Sequence, residues 1–210
     1  MSPRCLEKGK VMQRRKEKII LTDIDGCVLD WEFAFRQWME VQGHDLQNEN
    51  SYHIDKAFNL AGSKAGRLVR TFNESAAIGF LPPLRDAQYY IKMLHEKHQY
   101  RFVAITSLSL NPYAKKLRVK NLNKLFGSNT FKKVICLDCG APKNEALAKA
   151  AKDYPNSVWI EDKMVNADLG VSLGLDTLLM THGHNIDYRG KAMAVRSWEE
   201  VYRHIVWILE

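Results

Sequence analysis

Short apolar runs alternate along this chain with longer stretches in which apolar residues recur at helical spacing. Runs at 19–21, 101–105, 133–137, 158–160 and 177–180 are brief and continuous, as strands buried on both faces would be. Between them, Leu84, Ala87, Ile91, Leu94 and His95 share one stripe and predict an amphipathic helix over 84–98. Asn111 before Pro112 is a cap and first-turn pair for a helix reaching Phe126, where Gly127 stops it. Helices are also expected over 142–153 and over 164–173, the latter ended by Gly174. Ser197 opens the last segment with a capping-box pattern, and Trp198, Val201, Tyr202, Ile205 and Leu209 give it an apolar face.

Residues 31–80 interrupt this alternation. Trp31, Phe35, Trp38, Met39 and Gln42 fall near helical spacing, and Gly43 is a stop. Two short helices are expected over 54–61 and 64–73, loosened by Gly62 and Gly66, and no buried strand is apparent. Pro82 and Pro83 close the stretch. The predicted fold is α/β: a Rossmann-like parallel sheet of about five strands with helices on both faces, plus a small helical insert after the first strand. The expected organisation is a basic tail at 1–17, a core formed by 18–30 and 81–210, and the insert at 31–80.

In such sheets, active groups gather beyond the carboxyl ends of the strands. Asp23 and Asp25 end the first run, Thr106 and Ser107 the second, and Glu161 and Asp162 the fourth. Residues i and i+2 of a strand point to the same side, so Asp23 and Asp25 are placed to project together. Two such carboxylates need a cation nearby, and Mg2+ suits oxygen ligands. One carboxylate can attack phosphorus while the other carries a proton. Thr106 and Ser107 offer hydroxyl and N–H donors to a phosphate. Lys143, at a helix start where a cation opposes the dipole, is suited to a role outside its helix.

The segment Asp23-Ile24-Asp25-Gly26-Cys27-Val28-Leu29-Asp30 resembles the first motif of the haloacid dehalogenase-like hydrolases, with Cys27 where Thr is usual. Thr106, Lys143 and Glu161-Asp162 resemble the second, third and fourth motifs, in order, across 18–181. The resemblance implies a phosphatase with Asp23 as nucleophile and Asp25 as general acid/base. It implies Thr106, Ser107 and Lys143 at the phosphate, and Mg2+ held by Asp23, Asp25 and Asp162. Asn166 stands where many relatives carry a second Asp, and Glu161 would bind through water or hold position. The insert falls where a cap domain of that superfamily lies. Two blocks, Gly79 to Leu84 and Thr181-His182-Gly183-His184-Asn185, resemble the 5′-deoxyribonucleotidase branch. That and the aromatic insert make a nucleoside 5′-monophosphate the favoured substrate. Trp31, Phe33, Phe35, Trp38, Tyr52, Phe58, Phe72 and Phe80 supply the aromatics, at least half of them as the insert's own core. The alternatives are a sugar phosphate or other metabolite, a nucleic-acid end, or a non-catalytic binding role on this fold.

Composition adds bounds. The 210 residues, 46% hydrophobic, suffice for one core. No run is long enough for a membrane span, and the start lacks the apolar stretch of a secretory signal. Cys5, Cys27, Cys136 and Cys139 form no disulfide framework, which points to a reducing, cytoplasmic setting. Cys136 and Cys139 make a lone Cys-x-x-Cys, more consistent with packing than with zinc. The net charge is +7, and residues 1–18 carry seven Lys or Arg against two Glu. Nucleic-acid contact through that tail is the less favoured reading. A homodimer is compatible with the sequence.

Overall fold

The computed structural model describes residues 17–49, 51 and 53–208; the tail reading at 1–16, Tyr52 and Leu209 lie outside them. Strands β1 (Ile19–Thr22), β2 (Arg101–Thr106), β3 (Phe131–Cys136), β4 (Val158–Glu161), β5 (Asp176–Met180) and β6 (Met193–Val195) form one sheet, ordered β3-β2-β1-β4-β5-β6. Every pairing is parallel. The α/β sheet expected from the sequence is present, with one strand beyond the five apolar runs. β6 has three residues and only Val195 is buried, so it leaves no run to read.

Before α4 come α1 (Trp31–Val41), α2 (Ile54–Ala57), α3 (Gly62–Asn73) and a 3-10 turn at Ala76–Phe80. α2 is shorter than its sequence stripe because Asn59 takes a positive φ of 50°. Then follow α4 (Ala87–Glu96), α5 (Pro112–Phe126), α6 (Asn144–Asp153), α7 (Met164–Ser172) and α8 (Trp198–Arg203). α4 starts later than predicted because Arg85, at φ 45°, directs its guanidinium to the carbonyls of Thr181 and Arg196. α8 passes into a π-helical turn at His204–Ile208.

Alternate strand residues go to opposite faces. Ile20, Ala104, Ile160 and Leu178 pack with Leu94, Leu122 and Val201 of α4, α5 and α8. Leu21, Val103, Ile105 and Trp159 pack with Leu147 and Ala150 of α6 and Leu169 of α7. Both faces are thus covered, and the polar ends of the strands are left as the place for chemistry.

The chain leaves β1 for the helices of 31–80 and returns from them side by side. The Leu84 N–H donates to the Val28 carbonyl (2.9 Å) and the Asp30 N–H to the Pro82 carbonyl (3.0 Å). Inside this segment Phe35, Phe58 and Phe72 are buried, and Trp31 stacks on Phe35 at 4.6 Å between centroids. Phe33 and Phe80 are exposed.

Candidate active site

The site begins where β1 stops. The Asp23 N–H continues the ladder by donating to the Ile160 carbonyl of β4 (2.8 Å). Gly26 turns the chain with φ +77°, and the N–H groups of Val28 and Leu29 close back on the Ile24 carbonyl. The Trp198 indole donates to the Cys27 carbonyl (2.7 Å) and fastens the turn.

Lys143, only 3% exposed, comes from the loop between β3 and α6. Its ammonium lies 2.7 Å from Asp23 Oδ2 and 2.8 Å from Glu161 Oε2. Burial opposes its charge, but Asp23 and Glu161 outweigh that and hold its pKa well above the usual range. Glu161, at the end of β4, is fully buried. It accepts from the N–H groups of Asp162 and Lys163 and from the Asn166 side chain. Asn166 therefore acts on Glu161, and Glu161 rather than Asp162 secures the start of α7.

Asp23, Glu161 and Asp162 bring carboxylate oxygens within 4.8 Å of one another. Burial pushes Asp23 up to about 7; Lys143 opposes this, while Glu161 and Asp25 add to it. Burial also pushes Asp162 up to about 7, with Asp23 adding to it. Three carboxylates facing one ammonium carry surplus negative charge, and all donors are oxygen. These residues fit a hard divalent cation. Burial holds both aspartates near 7 in the folded state against the ordinary carboxyl value of 3.8 in the unfolded chain, so the folded state holds more protons between these pH values. Without a cation, stability therefore falls as pH rises from about 4 to about 7. Saturating Mg2+ is expected to raise Tm by about 5–10 °C at pH 8 and by little at pH 5. Melting curves with and without Mg2+ at the two pH values check this.

Gly26 borders the same cluster. A Cβ built there would overlap the Asp162 carboxylate, and the positive φ adds strain. Gly26→Ala is expected to displace Asp162 and weaken Mg2+ affinity about 10- to 100-fold, measured by calorimetric titration.

Asp25 does not join this cluster. Both its oxygens meet the guanidinium of Arg118, through Nη1 to Oδ1 and Nη2 to Oδ2, and Thr106 Oγ1 donates to Oδ2 at 3.3 Å. The sequence reading counted Asp25 among the metal ligands. In the structure the carboxylate cluster is Asp23, Glu161 and Asp162, and the Asp25 carboxylate is held by Arg118. Arg118 was not singled out from the sequence. Its signal is a charge four residues from Ala114 and four from Leu122, inside the buried stripe of α5.

Thr106 and Ser107 stand at the end of β2 and line the cleft with Asp23, Asp25 and Lys143. The Ser107 hydroxyl donates to the Ala141 carbonyl (2.8 Å), tying β2 to the loop that carries Lys143. The loop after β5 folds over the far side. His182 Nε2 lies 2.7 Å from the Gly26 carbonyl, and the His182 and His184 rings stack in parallel. His184 Nε2 is 3.8 Å from Asp162 Oδ2, and burial lowers the pKa of both imidazoles. Asn185, buried, donates to the carbonyls of Asp162 and Met180. Cys136 and Cys139 are free thiols, and Cys139 accepts from Asn73 at 3.7 Å.

These groups share a cleft of about 540 Å³. The helical segment contributes Asp30, Trp31, Glu32, Arg36 and Glu49 to its other wall. Asn73 braces that wall against the core: it accepts from the Trp31 indole (2.8 Å) and donates to the Leu108 carbonyl (3.0 Å). Of the described aromatics of the segment, Trp31 alone lines the cleft. No helix among the described residues is long and apolar enough to cross a membrane.

The chain is 30% identical over 190 residues to an uncharacterised 32.4 kDa protein from the gp30–rIII intergenic region of Enterobacteria phage T4. The match covers 87% of this chain and 67% of the phage protein. No family model matches. Among solved structures, a haloacid dehalogenase-like hydrolase from Streptococcus pneumoniae superposes with a TM-score of 0.63 at 16% identity, over 90% of this chain and 98% of its own. CbbY from Rhodobacter sphaeroides, in complex with phosphate, gives 0.59 at 18% identity over 89% and 96%. A mutant of CbbY is known in complex with xylulose bisphosphate. At these identities the likeness is one of fold: a haloacid dehalogenase-like core.

Proposed function

The chain belongs to the family of the phage T4 32.4 kDa protein and has the haloacid dehalogenase-like fold, and from that premise we propose that it is a Mg2+-dependent phosphomonoesterase. One observation carries the reading: Asp23, Asp25, Thr106, Lys143 and Asp162 come from the ends of three strands and one loop to line a single cleft, with Lys143 bridging Asp23.

In this reading Asp23 Oδ attacks phosphorus, and the bond from phosphorus to the ester oxygen breaks. The leaving oxygen keeps the electron pair and takes a proton from Asp25. Asp25 then accepts a proton from water as the water oxygen attacks the aspartyl-phosphate. The bond from phosphorus to Asp23 breaks, and phosphate departs. Lys143 offsets charge on Asp23 and on the phosphoryl oxygens, and Thr106 and Ser107 flank the phosphate, their hydroxyls holding Asp25 and the Ala141 carbonyl in place. Asp23 and Asp162, with Glu161 behind them, would hold Mg2+, whose charge stabilises the transferring phosphoryl group when bound.

The favoured substrate is a nucleoside 5′-monophosphate. The cleft is of a size that takes such a ligand. Trp31 offers an aromatic edge, and Asp30, Glu32 and Glu49 can accept from sugar hydroxyls or base amino groups. Helices α1 to α3 are read as the cap that selects the leaving group. A second reading, a phosphorylated nucleic-acid end, has its own support. A groove of about 600 Å³ shares Ser51, Lys163 and His184 with the cleft and adds His53 and Lys56, with no carboxylate among the described residues that line it. It could carry further phosphates.

The test is phosphate release with Mg2+ from nucleoside 5′- and 3′-monophosphates, sugar phosphates and phosphorylated oligonucleotide ends, with an EDTA control. Turnover of 5′-monophosphates, lost in EDTA, supports the reading. Turnover of oligonucleotide ends alone moves the substrate to the second reading. Silence across the panel overturns the phosphomonoesterase assignment.

A further inference from the structure

We propose that Arg118 is the positioning residue for Asp25; this rests on the reading of Asp25 as the proton carrier of a phosphomonoesterase. Arg118 sits in the middle of α5 with a side chain that is fully buried. Its Nη1 and Nη2 reach the two oxygens of Asp25, and among the described residues its Nε has no hydrogen-bond partner. The guanidinium is therefore committed to that one carboxylate.

A buried arginine in an apolar helical stripe is unfavourable unless it is paired, and a leucine or methionine would pack there without that penalty. What the arginine adds is a planar fork. Two N–H donors on two oxygens fix the rotation of the carboxylate, which a single ammonium cannot do. Asp25 remains 22% exposed toward the cleft, so the fork grips its inner side and leaves an outer side open. The Thr106 hydroxyl on Oδ2 completes the setting.

The helix that carries Arg118 is itself held in register. Asn121 donates to the Leu81 carbonyl (2.9 Å), and Leu117 packs against Gly79. Arg118 does not line the cleft, so it acts on substrate through Asp25 and not by contact.

The role separates from a merely structural one by leaving group. An alkyl phosphate needs a proton on its departing oxygen; 4-nitrophenyl phosphate does not. Arg118→Lys keeps the charge and loses the fork. It is expected to lower kcat on a nucleoside 5′-monophosphate about 100-fold, with KM within about threefold. The first burst of nitrophenolate from 4-nitrophenyl phosphate should stay near the wild-type rate. On an Asp25→Asn background, Arg118→Met should add no further loss, because the two residues act as one unit. Circular dichroism and melting curves confirm that each variant is folded, and Arg118→Lys carries the test if Arg118→Met is not.

Equal losses on both esters, a KM increase with kcat retained, or multiplicative losses in the double variant would overturn the role of Arg118 while leaving the phosphatase intact. A wild-type protein silent on both esters would remove the phosphatase reading and this role together.

Discussion

Asp23→Asn should lower phosphate release by about 10⁴-fold or more while leaving the protein folded. The substitution keeps shape and removes the oxygen proposed as the nucleophile. It also removes one of three crowded carboxylates, and one of the two that burial has pushed up to about 7. Lys143 keeps Glu161 at 2.8 Å, so its charge is not left alone. The metal-free variant at pH 8 should therefore melt no lower than the wild type, and Mg2+ should raise its Tm less. The measurement is kcat with Tm on the same sample. Activity lost together with a lower melting temperature would mean that Asp23 is needed for folding and would leave its chemistry unproven.

The other large effect is expected at Lys143. Lys143→Met removes the one ammonium between Asp23 and Glu161 and leaves both carboxylates buried without it. Breaking a buried pair in this way costs about 3–5 kcal/mol, far more than losing a surface ion pair. The sign with pH follows from the carboxyls. Asp23 and Glu161 both sit above their usual range because burial makes their charged forms costly, and Asp23, held near 7, loses its proton as pH rises through neutrality. The destabilisation should be greatest near pH 8 and shrink toward pH 5 as protons replace the lost ammonium. Urea unfolding at the two pH values measures it. Turnover should fall by about 10³-fold at either pH, since Lys143 is the ammonium that meets Asp23, at 2.7 Å. Lys143→Arg should restore part of the stability and little of the turnover, because a planar fork cannot occupy the place of a compact ammonium.

Much of this arrangement was legible in the chain because strand ends and chemistry coincide in sequence. Asp23, Thr106 and Glu161 each follow directly on an apolar run, and parallel pairing then brings the ends of β1, β2 and β4 together. Asn111 and Gly127 bound α5 as their types predict, with Asn111 accepting from the Tyr113 N–H and Gly127 at positive φ. What was not legible came from side chains meeting across long separations. The partition of the acidic groups into one cluster around Lys143 and one pair at Arg118 depends on Arg118 of α5 reaching the turn that follows β1. Nothing near Asp25 in sequence announces it. The aromatics of 31–80 likewise could not be sorted by pattern. Phe35 and Phe72 form a core and Trp31 faces the cleft, although all three fall on similar helical stripes. β6 was missed because only Val195 of its three residues is buried, which leaves no apolar run to read.

The central claim is that Asp23 becomes phosphorylated during turnover. Its most direct test is rapid acid quench of the Asp25→Asn protein mixed with 4-nitrophenyl phosphate and Mg2+, followed by peptide mass spectrometry. With that activated ester the first step needs no proton from residue 25, while the water step loses its base. The account predicts a phosphorylated peptide containing Asp23, sensitive to hydroxylamine and absent from Asp23→Asn. Burst release of nitrophenolate with no phosphate on Asp23, or phosphate on another residue, would contradict it.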